Sequence, residues 1–397
     1  MKRFFDRAFL AGLLAVLVAV PLGVALWSHK ETSAYYENRT LAAKPELTAE
    51  SLWDGSFGSG FESWFSDHTP GRTTLLKLDT VVQLKLLHRS VVNDIVLDAD
   101  GVLVPKMEFS EWSRRAYEET VPPIAENYGK LNAHIEELGG DFYFVGFPEQ
   151  RVYFEENFPD YLNNHATEAQ VADEVFMTAL ENAGVHTLDM RQKYEEKLHW
   201  PVYYSAVDHH YTYYGAYYGY RCIMTMLARD GWDDLPVLSG DLMEYKELPN
   251  PYIGSRNRKL YNLWENEEKA AILAEVPVPF TRTDNGQPSE KPLFVVPAQE
   301  DLPTTYNLYM GGDFGETILK TNRPELPDVL IFGDSFTNAL ETLLYASFDE
   351  TRILDLRHYT EQSLKDYITE YQPDIVLCVM NDTFYYTTTG NGAVWEE

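Results

Sequence analysis

Short apolar runs of strand length alternate with stretches of helical period over much of the chain. Val185–Leu188 and Arg352–Leu356 read as short strands, and Asp141–Phe147 (DFYFVGF), Asp328–Phe332 and Asp374–Val379 are nearly continuous in apolar residues. That is the pattern of strands buried on both faces. Between them, Thr167–Asn182, the segment marked by Phe336, Leu340, Leu343 and Leu344, and Thr360–Tyr371 read as helices. Thr167 is the expected N-cap of the first, and Gly184 lies beyond its end. Glu111–Leu138 is helical in pattern and stops at Gly139-Gly140, with Pro122-Pro123 expected to break or restart it. Strand alternating with helix predicts an α/β fold: a parallel sheet flanked by helices on both faces. Asn93–Pro105 predicts a hairpin turning at Asp100-Gly101. Residues 230–326 hold many Pro, Gly and Asn without a long helical period and predict an irregular, β-containing insertion.

The N-terminus has a different pattern. Lys2, Arg3 and Arg7 precede Ala8–Trp27, which carries no charge. Twenty helical residues span about 30 Å, the thickness of a bilayer core. Basic residues on the N-terminal side alone put that end in the cytoplasm and the remainder outside. The expected division is 1–29 as a cytoplasmic stub and transmembrane signal anchor, 30–90 as a lead-in, and 91–397 as the catalytic domain with its insertion. In the lead-in, Leu75, Leu76, Leu78, Val82 and Leu86 predict a helix docking on the main domain. A cleaved signal peptide is the alternative to the anchor, although Ala25-Leu26-Trp27-Ser28 makes a poor cleavage site. Either reading places the catalytic part outside the cell membrane.

Composition narrows the function. A formal charge of -30 and a pI near 4.6 oppose binding to nucleic acid or adhesion to anionic headgroups. The 27 tyrosines suit either sugar stacking or Tyr-rich cores. Cys222 and Cys378 both lie in apolar stretches and read as buried thiols, with one disulfide as the alternative. Neither has metal-ligand spacing, and no metal or cofactor is expected.

Three places carry chemistry. In DVLIFGDSFTNAL, a strand runs through Gly333-Asp334-Ser335 into a helix. A serine there sits at the carboxyl edge of the sheet, beside free N–H groups at a helix N-terminus, and reads as a nucleophile. It would serve as an N-cap in the same place. Such a serine needs a base and the base an orienting acid. VYYSAVDHHYTYYGAYYGY supplies them: a strand expected to end at Val207, then Asp208-His209-His210. Alternate residues of an extended segment face the same way, which pairs Asp208 with His210. The other reading is two structural histidines beside an N-capping Asp208. In PDIVLCVMNDTF, Asn381 follows a strand as an oxyanion donor or as the start of an Asx-turn.

Gly-Asp-Ser with a later Asn-Asp after a strand resembles two blocks of the SGNH hydrolases. The Asp-x-His block precedes the serine, and D-H-H-Y-T-x-x-G-A at 208–216 resembles the DHHW family and the alginate O-acetylation proteins AlgX and AlgJ, with Tyr211 in place of tryptophan. Glu37-Asn38-Arg39, the SDHTPGR segment ending at Arg72, and FPEQRVYFEE around Pro148 add to the likeness. The resemblance implies an SGNH-hydrolase-like fold with Ser335 as nucleophile, His210 as base and Asp208 as its orienter. Asn381 is implied at the oxyanion, although Val379 replaces the usual glycine, with His209 and Tyr211 of the same block beside the substrate. Arg357, at the end of the strand after the serine helix, reads either as reaching the site or as a surface charge. It also implies O-acetyl transfer to a polysaccharide, fed by a membrane-bound O-acyltransferase partner. A secreted esterase would use the same triad with water as acceptor, and a non-catalytic polysaccharide-binding assembly protein would keep only the fold.

Overall fold

The structure is a computed structural model that describes residues 2–27, 33–37, 39–195, 202–239 and 244–395. The expected end of the anchor at 28–29 and Asn38 lie outside the described residues. The chain forms two compact units. One holds Met1–Ile95 and Asn257–Glu265, and the other holds Val96–Arg256 and Asn266–Glu397. The lead-in unit therefore runs slightly past residue 90 and includes one stretch from within the expected insertion.

In the first unit, α1 (Lys2–Trp27) contains Phe4–Val24, a stretch long and apolar enough to cross a membrane. The expected lead-in helix forms as Arg72–Val81 and widens to a π-turn over Val82–Leu86. Thr80 and Leu84 are its buried positions, while Leu75, Leu78 and Leu86 are exposed. Two sequence motifs meet here as an ion network. Arg39 pairs with Glu37 at 2.9 Å and with Asp67 at 2.5 Å, and Arg72 pairs with Glu37.

The second unit is built on an eight-stranded sheet. Its strands are β1 (Asp141–Phe147), β2 (His186–Asp189), β3 (Thr281–Asp284), β4 (Gln287–Ser289), β5 (Glu316–Lys320), β6 (Val329–Gly333), β7 (Glu350–Leu354) and β8 (Ile375–Asn381). The order across the sheet is β4-β3-β5-β7-β6-β8-β1-β2. From β7 to β2 neighbouring strands are parallel. The insertion adds β5, β3 and β4 in antiparallel fashion on the β7 side. Every residue of β6 and β8 is buried, which accounts for their apolar sequences. Each such Leu, Ile or Val contributes about 1.5–3 kcal/mol of burial. Helices α2 (Arg114–Leu138), α3 (Ala166–Asn182), α4 (Tyr213–Arg229), α5 (Thr337–Leu344) and α6 (Leu364–Tyr371) complete the α/β architecture. The expected hairpin turns as read: Asp98 N donates to Val102 O at 3.1 Å, and Gly101 has φ +87°.

Three local expectations are corrected. Helix α2 continues through Pro122 and Pro123. Both prolines face solvent, while Val121, Ile124, Ala125 and Tyr128 around them are buried. Core packing on one side holds the helix, and the carbonyls left without donors lie on the wet side. Thr167 is not an N-cap, because α3 starts one residue earlier, after His165 at φ +54° with no side-chain cap. No strand leads to Val207. Residues 206–210 are bends, flanked by the single bridge Tyr204↔Tyr211. Cys222 and Cys378 form no disulfide, and Cys378 is a buried thiol on β8.

Candidate active site

The bent segment at 205–210 has no ladder to hold it, so its backbone groups are taken up one by one. Ser205 Oγ accepts from Val207 N at 3.2 Å and from Asp208 N at 2.9 Å. Glu268 accepts from Ala206 N at 2.9 Å, and Arg256 N donates to Val207 O at 3.0 Å. Gln150, fully buried, donates from its backbone N to His209 O at 3.2 Å and from Nε2 to Ser205 O at 3.0 Å. The result is a rigid loop without regular secondary structure.

On that loop Asp208 closes on His210 by an Asx-type turn. Its Oδ1 accepts from His210 N at 3.1 Å and lies 2.7 Å from Nδ1 of the ring. The pairing expected from alternation exists, but a turn creates it, not an extended strand. The other carboxylate oxygen accepts from Ser255 N at 2.6 Å. Burial would raise the Asp208 pKa. The neighbouring His209 and His210 and these hydrogen bonds overcome that and hold it well below the usual carboxylate range. The carboxylate is thus ionised and fixed against Nδ1, which leaves Nε2 of the ring facing outward.

The serine arrives from the opposite direction. Strand β6 ends at Gly333, where a Cβ would lie 1.8 Å from Val379 O, so only glycine lets the strand pass β8 this closely. Asp334 then pins the turn. It accepts from Phe336 N at 2.8 Å, Asn381 N at 2.8 Å and Asn381 Nδ2 at 2.7 Å. Its full burial pushes it up to about 6 against those donors. Ser335 is left partly exposed at the carboxyl edge, just before α5. It is not the N-cap, a position that Phe336 takes without a side-chain bond. Ser335 Oγ lies 2.7 Å from His210 Nε2, across 125 residues of sequence. Its own backbone N–H has no protein partner among the described residues. A hydroxyl bonded to an imidazole that is bonded in turn to a buried carboxylate is the arrangement that activates a serine for acyl chemistry.

The remaining expected residues divide. Tyr211 is buried, and its hydroxyl donates to Phe336 O, which ties the histidine loop directly to the serine turn. His209 stacks on His210 at 3.7 Å between centroids, with its Nδ1 2.7 Å from Ser255 Oγ. Asn381 uses its amide within the turn: Oδ1 accepts from Thr383 N at 3.0 Å, the Asx-turn reading, while Nδ2 serves Asp334. Arg357 grips Asp355 through Nε at 2.9 Å and reaches Asp313 at 3.2 Å, one strand over from the serine. Sequence reasoning missed Tyr306, whose ring lies flat on His210 at 3.6 Å and 3° and fixes its plane. Gln150 was marked only as part of FPEQRVYFEE, without a role, and Ser255 and Glu268 were missed as well. Nothing in their local sequence marks them, because their partners are distant in the chain.

Asp208, His209 and His210 offer metal-ligating atoms within 4.8 Å of one another, as do Asp313, Asp355 and His358. In the first set Asp208 and His210 are committed to each other and to Ser335, and in the second Arg357 already neutralises both carboxylates. A cleft of about 590 Å³ is lined by His186, Cys222 and Asp230 at β2. Strands β8 and β1 separate β2 from the serine strand, so this cleft lies away from Ser335.

No family model matches the chain, and no curated protein matches it. Among solved structures, PatB1 of Bacillus cereus with a sulfonyl adduct aligns with a TM-score of 0.61 at 22% identity, over 74% of this chain and 96% of PatB1. A DHHW family protein from Eubacterium siraeum aligns with a TM-score of 0.54 at 18% identity, over 75% and 93% of the two chains. The O-acetyltransferase domain of Pseudomonas putida AlgJ aligns with a TM-score of 0.44 at 13% identity, over 74% and 93%. The chain shares the α/β fold of PatB1 and the DHHW family protein.

Proposed function

We propose that this protein is an O-acyltransferase, acting through an acyl-enzyme on Ser335 and passing an acetyl group to a hydroxyl of a polysaccharide outside the membrane. The observation that carries the reading is the unbroken chain Asp208–His210–Ser335, with both links at 2.7 Å. In the first half-reaction Ser335 Oγ attacks the carbonyl carbon of an acyl ester while His210 Nε2 takes its proton. Asp208 stabilises the imidazolium and holds its tautomer. The Ser335 N–H, at the start of α5, is placed to receive the developing oxyanion. His210 returns the proton to the leaving oxygen, and the ester bond to Ser335 has replaced the one broken. In the second half an acceptor hydroxyl repeats the sequence, giving its proton to His210 and taking the acyl group.

α1 fits an anchor that holds the catalytic unit outside the membrane, beside a membrane-bound O-acyltransferase that would deliver acyl groups. The test is steady-state turnover of an acetyl-ester reporter by the full chain in detergent, with and without oligosaccharide. Acetylated sugar supports transfer, and acetate alone makes the protein an esterase with the same triad. Ser335→Ala lowers either activity by about a thousandfold or more. Wild-type turnover in that variant ends the proposal.

A further inference from the structure

A second feature lies on the same rim of the sheet. Strand β7 ends at Leu354 beside Phe332 of β6 and Glu316 of β5, so the loop after β7 and the lead into β5 share the edge that carries Ser335. Between them opens a cleft of about 340 Å³. Its lining includes Asp313, Phe314, Glu316, His358, Tyr359 and Glu361. Two inter-strand steps separate it from the serine strand, about 10 Å. It is also joined to the serine helix, because Asn338 Nδ2 donates to Asp313 Oδ1 at 2.8 Å.

The lining has two chemical characters. Tyr359 supplies partly exposed aromatic surface, and the Phe314 ring beside it carries Arg282 at 5.4 Å and Lys291 at 4.2 Å. Glu316 and Glu361 supply carboxylate acceptors, with Glu316 partly engaged by the Tyr367 hydroxyl at 2.6 Å, while Asp313 is held by Asn338 and Arg357. The nearby cations are already occupied: Arg357 is paired with Asp355 and Asp313, and Lys291 sits over the Phe314 ring at 4.2 Å. Aromatic faces with carboxylates between them suit a ring whose edges donate several O–H groups and whose faces are C–H. Glu316 and Glu361, which no cation neutralises among the described residues, penalise a ligand that carries its own carboxylate.

We infer that this cleft is the acceptor subsite of the proposed transferase, and that it takes a neutral or amine-bearing saccharide and rejects a polyuronate. The inference rests on the acyl-enzyme reading and adds to it the location and charge class of the acceptor. A saccharide seated here extends along the strand ends toward Ser335, which brings a hydroxyl of a neighbouring ring to the acyl group.

The test uses the full chain with para-nitrophenyl acetate as donor and three acceptors: cello-oligosaccharide, chitosan oligosaccharide and oligogalacturonate. The first or second is acetylated and the third is not. Tyr359→Ala and Glu361→Ala each raise the acceptor KM by about tenfold, with ester hydrolysis in the absence of sugar unchanged. Glu361→Lys admits the oligogalacturonate. Saturation-transfer NMR on Ser335→Ala reads binding without chemistry, so acceptor binding is scored even if the triad reading fails. Signals from the neutral or amino sugars, lost on adding Tyr359→Ala, support the subsite. Absence of binding by both sugars, unchanged KM in both alanine variants, or preference for oligogalacturonate overturns it. Loss of Ser335 dependence in ester turnover would instead overturn the triad.

Discussion

Replacing Gly254 by alanine probes whether the loop that carries Asp208 is held as rigidly as its hydrogen bonds indicate. A Cβ at residue 254 would stand 2.0 Å from Val207 O, 2.3 Å from Val207 C and 2.7 Å from Asp208 N. Ordinary contact begins at 3.4 Å, so the shortfall is 3.4 − 2.0 = 1.4 Å. The obstacle is backbone: Arg256 N holds Val207 O at 3.0 Å, and Ser255 N holds the Asp208 carboxylate at 2.6 Å. The strain therefore moves the Asp208–His210 loop away from residue 254. A shift of about 1 Å stretches a 2.7 Å bond between His210 and Ser335 past hydrogen-bond range. The expected outcome is a fall in kcat of about a hundredfold with ester KM little changed. Overpacking also costs about 1–3 kcal/mol of stability. The assay is reporter turnover alongside thermal melting. Gly58→Ala is the control: it lies in the helix Ser56–Asp67 with nothing within 4 Å of its Cβ, and leaves turnover unchanged. If Gly254→Ala keeps kcat within about threefold of wild type while remaining folded, the rigid-loop reasoning is wrong.

Asp208→Asn preserves shape but removes the charge that fixes the His210 tautomer, and lowers kcat by about ten-thousandfold at neutral pH by the same logic as in serine proteases; near-normal kcat at that pH would leave Asp208 a structural role only. A sulfonyl fluoride labels Ser335 at one site per chain, as peptide mapping would read; labelling elsewhere, or none, counts against an activated serine. Glu341 is fully buried beside Thr337, and burial pushes it up to about 7 from 4.5. The native state then holds this proton more tightly than the unfolded chain, so stability falls as pH rises from about 4.5 to about 7, by on the order of 3 kcal/mol. Glu341→Gln removes that loss and is more stable than wild type at pH 8 but not at pH 4; equal melting temperatures at both would refute it.

The parallel core was legible because burial on both faces writes itself as uninterrupted apolar sequence, as in VLIFG of β6 and IVLCVMN of β8. The strands that the insertion adds were not. β3 reads TRTD, with Arg282 buried but salted to Asp284 at 2.8 Å and bonded to Met310 O, a pairing that sequence pattern cannot show. Pro122-Pro123 misled because backbone preference points to a break, while the packing of Tyr128 and Leu131 behind it holds the helix. At the site, the residue types and spacing pointed to Ser335, Asp208 and His210. The contact between loops 125 residues apart was legible only as the expectation that strand ends share one rim. Tyr306, Ser255 and Glu268 were invisible, and Gln150 was marked only as part of FPEQRVYFEE, since ring faces and bonds to distant backbone groups have no sequence signature.

The acyl-enzyme itself is the most direct object to look for. The full chain is mixed with an acetyl ester, quenched in acid during turnover, digested, and the peptide bearing Ser335 weighed. It gains the mass of one acetyl group in the wild type and none in His210→Ala. Steady turnover with an unmodified Ser335 peptide, or with the acetyl group on another residue, would contradict the account.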